Sequence, residues 1–176
     1  MKHKNKKQHV IVSGGSGGIG SVVAEAFVKK GAKVLIIGRN KKNLKKAQLR
    51  LGHAVSVCVA DVSKKTSIEK IKKCISKNLN GVVDILVNAA GIYGPKGLLE
   101  ENDMTLWWKT FEVNVLGTVL LSRLVLSFMK KSRHGRIINF SGGGEGPFPY
   151  FTAYSSSKGA VVRFTESLAA EIKNSH

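Results

Sequence analysis

Val10-Ile11-Val12-Ser13-Gly14-Gly15-Ser16-Gly17-Gly18-Ile19-Gly20 is a short apolar run that breaks into a glycine-rich turn, after which Val22, Val23, Ala26 and Phe27 recur at helical spacing. The order is strand, glycine loop, helix. Backbone amides at a helix start bind an anion well only where no side chain blocks its approach, so glycines at this turn predict a phosphate-sized cradle. The loop fits two registers: Gly15, Gly17 and Gly20 match Gly-x-Gly-x-x-Gly, while Gly14, Gly18 and Gly20, preceded by Ser13, match Gly-x-x-x-Gly-x-Gly. Either match alone is a weak signal.

Outward from the loop the same alternation repeats. Gly31 stops the first helix pattern, residues 34–37 read as a second buried strand, and 40–51 as a polar helix. Residues 54–59 form a third strand; Ile68, Ile71, Ile75 and Leu79 trace an amphipathic helix; residues 82–87 form a fourth strand. The stretch 103–131 carries Trp107, Trp108, Phe111, Val115, Val119, Leu120, Val125 and Phe128 on more than one face, which predicts a widely buried helix, partly covered by a partner chain. Residues 136–140 form a fifth strand, 142–149 a loop and 152–173 a final helix. Strands alternating with helices predict an α/β fold, a doubly wound parallel sheet with helices on both faces and right-handed crossovers.

A chain of 176 residues suits one domain, here a basic tail over 1–9 and a single nucleotide-binding domain over 10–176. Its hydrophobic fraction of 43% is ordinary, and no run reaches the roughly 18 to 20 consecutive apolar residues of a membrane span. The basic N-terminus is followed by glycines rather than a cleavage site, so no signal peptide, no membrane partner and a cytoplasmic location are expected. The net charge of +18 and pI near 10.1 raise polyanion binding as one function class. Yet Lys41, Lys42, Lys45, Lys46, Lys64, Lys65, Lys70, Lys72, Lys73 and Lys77 fall on solvated helix faces without interleaved aromatics. No zinc spacing or RNA-binding signature accompanies them, which argues against a specific nucleic-acid partner. Cys58 and Cys74 lack the spacing of a metal or redox pair, so two buried thiols and no metal site are expected.

Tyr154 and Lys158 lie four residues apart in Tyr154-Ser155-Ser156-Ser157-Lys158, on one face of the last helix. A free phenol titrates near pH ~10, and a neighbouring cation stabilises the phenolate. Such a pair also arises by chance on solvated helices. The second glycine register, Asn88-Ala89-Ala90-Gly91 after the fourth strand, Asn114 in Val113-Asn114-Val115-Leu116-Gly117, Ser141 after the fifth strand, and Tyr154 with Lys158 together change its meaning. In identity and order these resemble the short-chain dehydrogenases/reductases, over nearly the whole chain.

The resemblance implies a Rossmann-type sheet with a nicotinamide cofactor across the carboxyl ends of its strands. It implies that Ser13, Gly14, Ser16, Gly18, Ile19 and Gly20 form the pyrophosphate loop, and that Asp61 and Val62 lie beside the adenine. Asn88 and Gly91 would support the central strand and the adenosine ribose. From the residues alone, Asp61 could instead cap the helix near Ser63, and Asn88 could be a turn residue. The second strand ends in Gly38-Arg39 with no carboxylate, and a guanidinium grips a 2′-phosphate, so NADP(H) is expected over NAD(H); the alternative is a merely solvent-exposed Arg39.

The same resemblance implies a chemistry: interconversion of a secondary alcohol and a ketone on a small substrate. Tyr154 is the general acid/base, and Lys158 lowers its pKa and bonds the nicotinamide ribose. Ser141 holds the substrate oxygen, and Asn114 supports a water linked to Lys158. Asn114 could equally stabilise an irregular helical turn. The chain departs from the family at Asn139-Phe140-Ser141-Gly142, where glycine takes the place of a second serine. Counting back from Tyr154 reaches Ser141, while counting forward from Asn139 reaches Gly142. The family's last strands and substrate-covering segment are missing after the Tyr154 helix. That leaves a fragment of a longer enzyme or a truncated product, with an exposed sheet edge and homo-oligomerisation through the helices 103–131 and 152–173 expected. The rival function classes are an inactive nucleotide-binding or oligomerisation module and a basic polyanion-binding protein.

Overall fold

The computed structural model describes residues 7–132, 134–142 and 146–173. Along it run β1 (His9–Ser13), α1 (Gly18–Lys29), β2 (Lys33–Gly38), α2 (Lys41–Leu51), β3 (Val55–Val59), α3 (Ile68–Leu79) and β4 (Ile85–Asn88). Then follow α4 (Met104–Phe111), α5 (Gly117–Ser132), β5 (Arg136–Asn139) and α6 (Thr152–Lys173). The strands pair in parallel in the order β3-β2-β1-β4-β5. The expected doubly wound sheet is present.

Helices on both faces explain why β1, β2 and β4 are apolar without interruption. Side chains alternate across the sheet, and the core divides accordingly. Ile11, Leu35, Ile37, Cys58 and Leu86 pack against Ile71, Ile75 and Leu79 of α3 and Leu121, Val125 and Phe128 of α5. Val10, Val12, Val34, Ile36, Val55 and Val87 pack against Ala24 of α1 and Leu44, Ala47 and Leu51 of α2. Each such fully buried aliphatic side chain contributes about 1.5–3 kcal/mol, so the two halves of the core hold the sheet from either side. Cys58 belongs to this core, and burial pushes its thiol up to about 12, while Cys74 is half-buried.

Two elements differ from the sequence pattern. The helix expected over 103–131 is α4 and α5 joined by a π-helical segment, Glu112–Leu116. An inserted residue of this kind carries no periodicity signal, because the apolar side chains continue on several faces through it. The fourth strand starts at Ile85 rather than 82, since Val82 N–H still bonds Leu79 O in the turn closing α3. Met104–Ser132 is long and apolar enough by composition to cross a membrane, but half of its most apolar window is buried inside the molecule. β5 is an outer strand, and its far edge has no strand partner among the described residues. 

The topology decides where a ligand can lie. After β1 the chain winds outward through β2 and β3, then crosses back to place β4 on the other side of β1. The loops leaving β1 and β4 therefore diverge, opening a crevice at the carboxyl ends of the strands. At the opposite end, Asp84 is 7% exposed and ties three segments together. Its carboxylate accepts the His9 backbone N–H at 2.7 Å and lies 2.6 Å from His134 Nε2.

Candidate active site

A cleft of about 470 Å³ occupies this crevice, floored by Gly14, Gly17, Gly18 and Gly20 and bounded by Arg39, Asn40, Asp61, Val62, Gly91 and Tyr93. The glycines serve two purposes. Gly14 has φ +66°, and a Cβ on it would lie 2.8 Å from Ala89 O; a Cβ on Gly20 would lie 2.4 Å from Gly14 O. Those two let the turn close on itself. A Cβ on Gly18 would meet nothing within 4 Å, so it would project into the cleft. α1 begins there with Gly17 as its N-cap and no side-chain cap, which leaves its first amides open to the cleft. That is a cradle for an anion of phosphate size, and it fits the pyrophosphate of a dinucleotide.

The sequence-predicted residues separate into cleft walls and supports. Ser16, Ile19, Arg39, Asp61, Val62 and Gly91 line the cleft with the glycines. Ser13 does not: it is 1% exposed, and its hydroxyl accepts the Ala89 and Ala90 N–H groups, each at 3.1 Å. It fastens the two diverging loops together. Asn88 is also buried, donating to Asn139 Oδ1 at 2.9 Å and Ser122 Oγ at 3.3 Å, and Asn139 in turn donates to Thr165 Oγ1 at 2.8 Å. This chain joins β4, β5, α5 and α6. Asp61 Oδ1 accepts from the Ser63 N–H and hydroxyl, so the turn role and the cleft position hold together. Burial raises the Asp61 pKa, but the Ser63 hydrogen bonds, with Arg39 and Lys109 nearby, outweigh it and hold the carboxyl below its usual range.

α6 carries Tyr154 and Lys158 on one side, as the spacing requires. Lys158 is 8% exposed, its Nζ donates to Phe140 O at 2.7 Å, and it lies 5.7 Å from the Tyr154 ring centroid. Asn114, in the π-helical segment, is 1% exposed. Its Oδ1 accepts the Ile92 N–H at 2.8 Å, and its Nδ2 donates to Ile92 O and Ser157 Oγ, each at 2.9 Å. A Cβ on Gly91 would sit 3.3 Å from Asn114 Oδ1 and 4.0 Å from Lys158 Nζ. Tyr154, Lys158, Asn114 and Gly91 thus converge at one end of the cleft.

Two expectations are altered here. Lys158 was expected to lower the phenol, yet burial, and then the Tyr93 phenol, raise the Tyr154 pKa above its ordinary value. Burial also lowers the Lys158 pKa, and its ammonium is directed at a carbonyl. The second concerns the serine. Ser141 is exposed at the end of β5, and the backbone facing the Tyr154 hydroxyl is Gly142, where a Cβ would lie 2.5 Å from Oη. Tyr93, Phe140 and Ser157 are not among the residues singled out from the sequence, and Gly142 is singled out there only as the departure from a second serine. The register Asn88↔Asn139 places Phe140 beside the end of β4, and Tyr93 follows the loop glycine by two residues, so both had a positional signal.

A model of the short chain dehydrogenase family matches residues 8–176. The chain belongs to the short-chain dehydrogenase family. It is 43% identical over 169 residues to a short chain dehydrogenase of Pseudocercospora fijiensis, covering 93% of this chain and 54% of that one. It is 38% identical to a 3-ketodihydrosphingosine reductase of Mus musculus, covering 94% and 52%. Among solved structures, the closed form of a serine dehydrogenase complexed with NADP+ superposes with a TM-score of 0.87 at 28% identity, covering 94% of this chain and 66% of that one. The chain spans about half the length of the curated relatives it matches. The glycine cradle lies in the crevice at the carboxyl ends of the strands, where a sheet of this topology binds its ligand.

Proposed function

We propose that this chain carries the cofactor and proton-transfer half of an NADP(H)-dependent oxidoreductase that interconverts a secondary alcohol and a ketone. The observation that carries the proposal is that Tyr154 and Lys158 stand beside Tyr93 and Gly91, which line the glycine-floored cleft. The nicotinamide cofactor would be held by Gly14, Gly18, Ile19 and Gly20, with Asp61 and Val62 on the adenine side, and it would supply the hydride. Arg39 lines the cleft just past β2 with Ser16 and Asn40, and β2 itself ends without a carboxylate; the nearby Asp61 carboxylate follows β3 and is bonded to Ser63. That supports NADP(H) over NAD(H).

The chain's own part is the proton. With its pKa raised, Tyr154 stays protonated through neutral pH and can donate to a carbonyl oxygen that becomes an alkoxide. In this reading Asn114 fixes the loop after β4 against α6, so that the two walls of the site keep their spacing. Met104, Leu106 and Trp108 are exposed on α4, which supports association of copies through the helices 103–131 and 152–173.

Hydride transfer from NADPH to a panel of ketones tests the proposal. Tyr154→Phe should lower turnover by about 10²–10⁴-fold while leaving NADPH affinity unchanged. Cofactor binding with no transfer in the parent chain would favour the inactive nucleotide-binding module, and tighter NADH binding would overturn the cofactor preference.

A further inference from the structure

Tyr154 is one of four aromatic rings that touch in a closed circuit. Its ring lies 4.6 Å from that of Tyr93, Tyr93 lies 5.9 Å from Phe151, Phe151 lies 4.8 Å from Phe148, and Phe148 lies 6.0 Å from Tyr154. Three separate segments supply them: the loop after β4, the loop before α6, and α6 itself. Tyr93 belongs to both compartments, because it also lines the cofactor cleft. It is 60% exposed, so the circuit has a side open to solvent.

We infer that this circuit is a specificity wall, and that the substrate is a ketone or secondary alcohol bearing a flat apolar group, aromatic or conjugated, directly on the reacting carbon. The inference rests on the reading of Tyr154 as the acid. Tyr93 and Phe148 are in ring contact with Tyr154, so a carbonyl oxygen bonded to the Tyr154 hydroxyl brings its substituents alongside these rings. Stacked and edge contacts with such rings reward a planar partner beyond the area it buries. The charged groups placed over these rings, among the described residues, are two cations, Lys158 over Tyr154 and Lys96 at 5.8 Å from the Phe151 centroid. The rings are neutral and present π faces, so a sugar-like chain would lose hydration without replacement.

Methyl naphthyl ketone and methyl adamantyl ketone have equal carbon counts but differ in shape, one flat and one globular. Their affinities for the full chain loaded with NADP+ are measured by saturation-transfer NMR and calorimetry. The flat ketone is expected to bind about tenfold more tightly, and Phe148→Leu or Phe151→Leu to remove that preference while NADP+ affinity is retained. Equal affinities for the two ketones, or a preference untouched by both variants, would overturn the inference. Failure of NADP+ itself to bind, or no hydride transfer to the bound flat ketone once NADPH replaces NADP+, would instead overturn the function proposed above.

Discussion

At the scale of single residues, position 142 shows how closely chemistry and backbone are joined here. A Cβ at Gly142 would stand 2.5 Å from the Tyr154 hydroxyl, so any side chain there must displace the phenol or the loop. Gly142→Ala is therefore expected to lower turnover by about 10²-fold, the scale of an ångström's misplacement, with little change in NADPH affinity. Steady-state kinetics beside Ser141→Ala separate the two positions: an unaffected Gly142→Ala would show that the phenol is not held where the backbone puts it. The sequence placed Tyr154 and Lys158 on one helical face because spacing alone decides that. It could not show the direction of the phenol's pKa, which depends on burial and on Tyr93, sixty-one positions away in numbering and adjacent in space.

Among the elements, the π-helical segment Glu112–Leu116 is the one whose purpose appears only in three dimensions. It turns the Asn114 side chain between the loop after β4 and α6, where the amide makes three hydrogen bonds. Asn114→Ala removes the partner of the half-buried Ile92 N–H and carbonyl and one of the two partners of the Ser157 hydroxyl, which still donates to Tyr154 O, and should destabilise the fold by about 1–3 kcal/mol for the groups left unsatisfied. Urea unfolding measures this; Ser157→Ala, which deletes one of the three Asn114 bonds and a bond to Tyr154 O within its own helix, should cost less, and equal losses would contradict the bridging role. Elements with strong periodicity, such as α3 with Ile71, Ile75 and Leu79 or the uninterrupted apolar β2, were legible in the sequence. The π segment was not, because a local insertion in an apolar helix leaves the composition unchanged. Ser13 was misplaced for a related reason: it stands in the glycine motif, but its hydroxyl is turned away from the cleft to close the loops.

For the whole molecule, the two ends of the sheet have different duties. The carboxyl ends open into the cleft, whereas the amino ends are tied by Asp84 to His9 and His134. Burial raises the Asp84 pKa, but the His9 N–H and the His134 ring outweigh it, and the carboxyl is held below its usual range. A depressed folded pKa means that this stabilisation is complete above the unfolded carboxylate value of about 3.9 and is lost as pH falls through the folded value. Urea midpoints should drop more steeply below pH ~4 in the parent than in Asp84→Asn, which should be weaker at pH ~7; parallel profiles would remove Asp84 from the acid response. The sequence by itself determined the alternation of strands and helices, the glycine loop and the helical pairing of Tyr154 with Lys158, because period, turn chemistry and spacing are local properties. Only the tertiary structure decided which side of β1 receives β4, which hydroxyls face the cleft, and which rings and backbone press on Tyr154, because those contacts join residues that chain distance keeps apart.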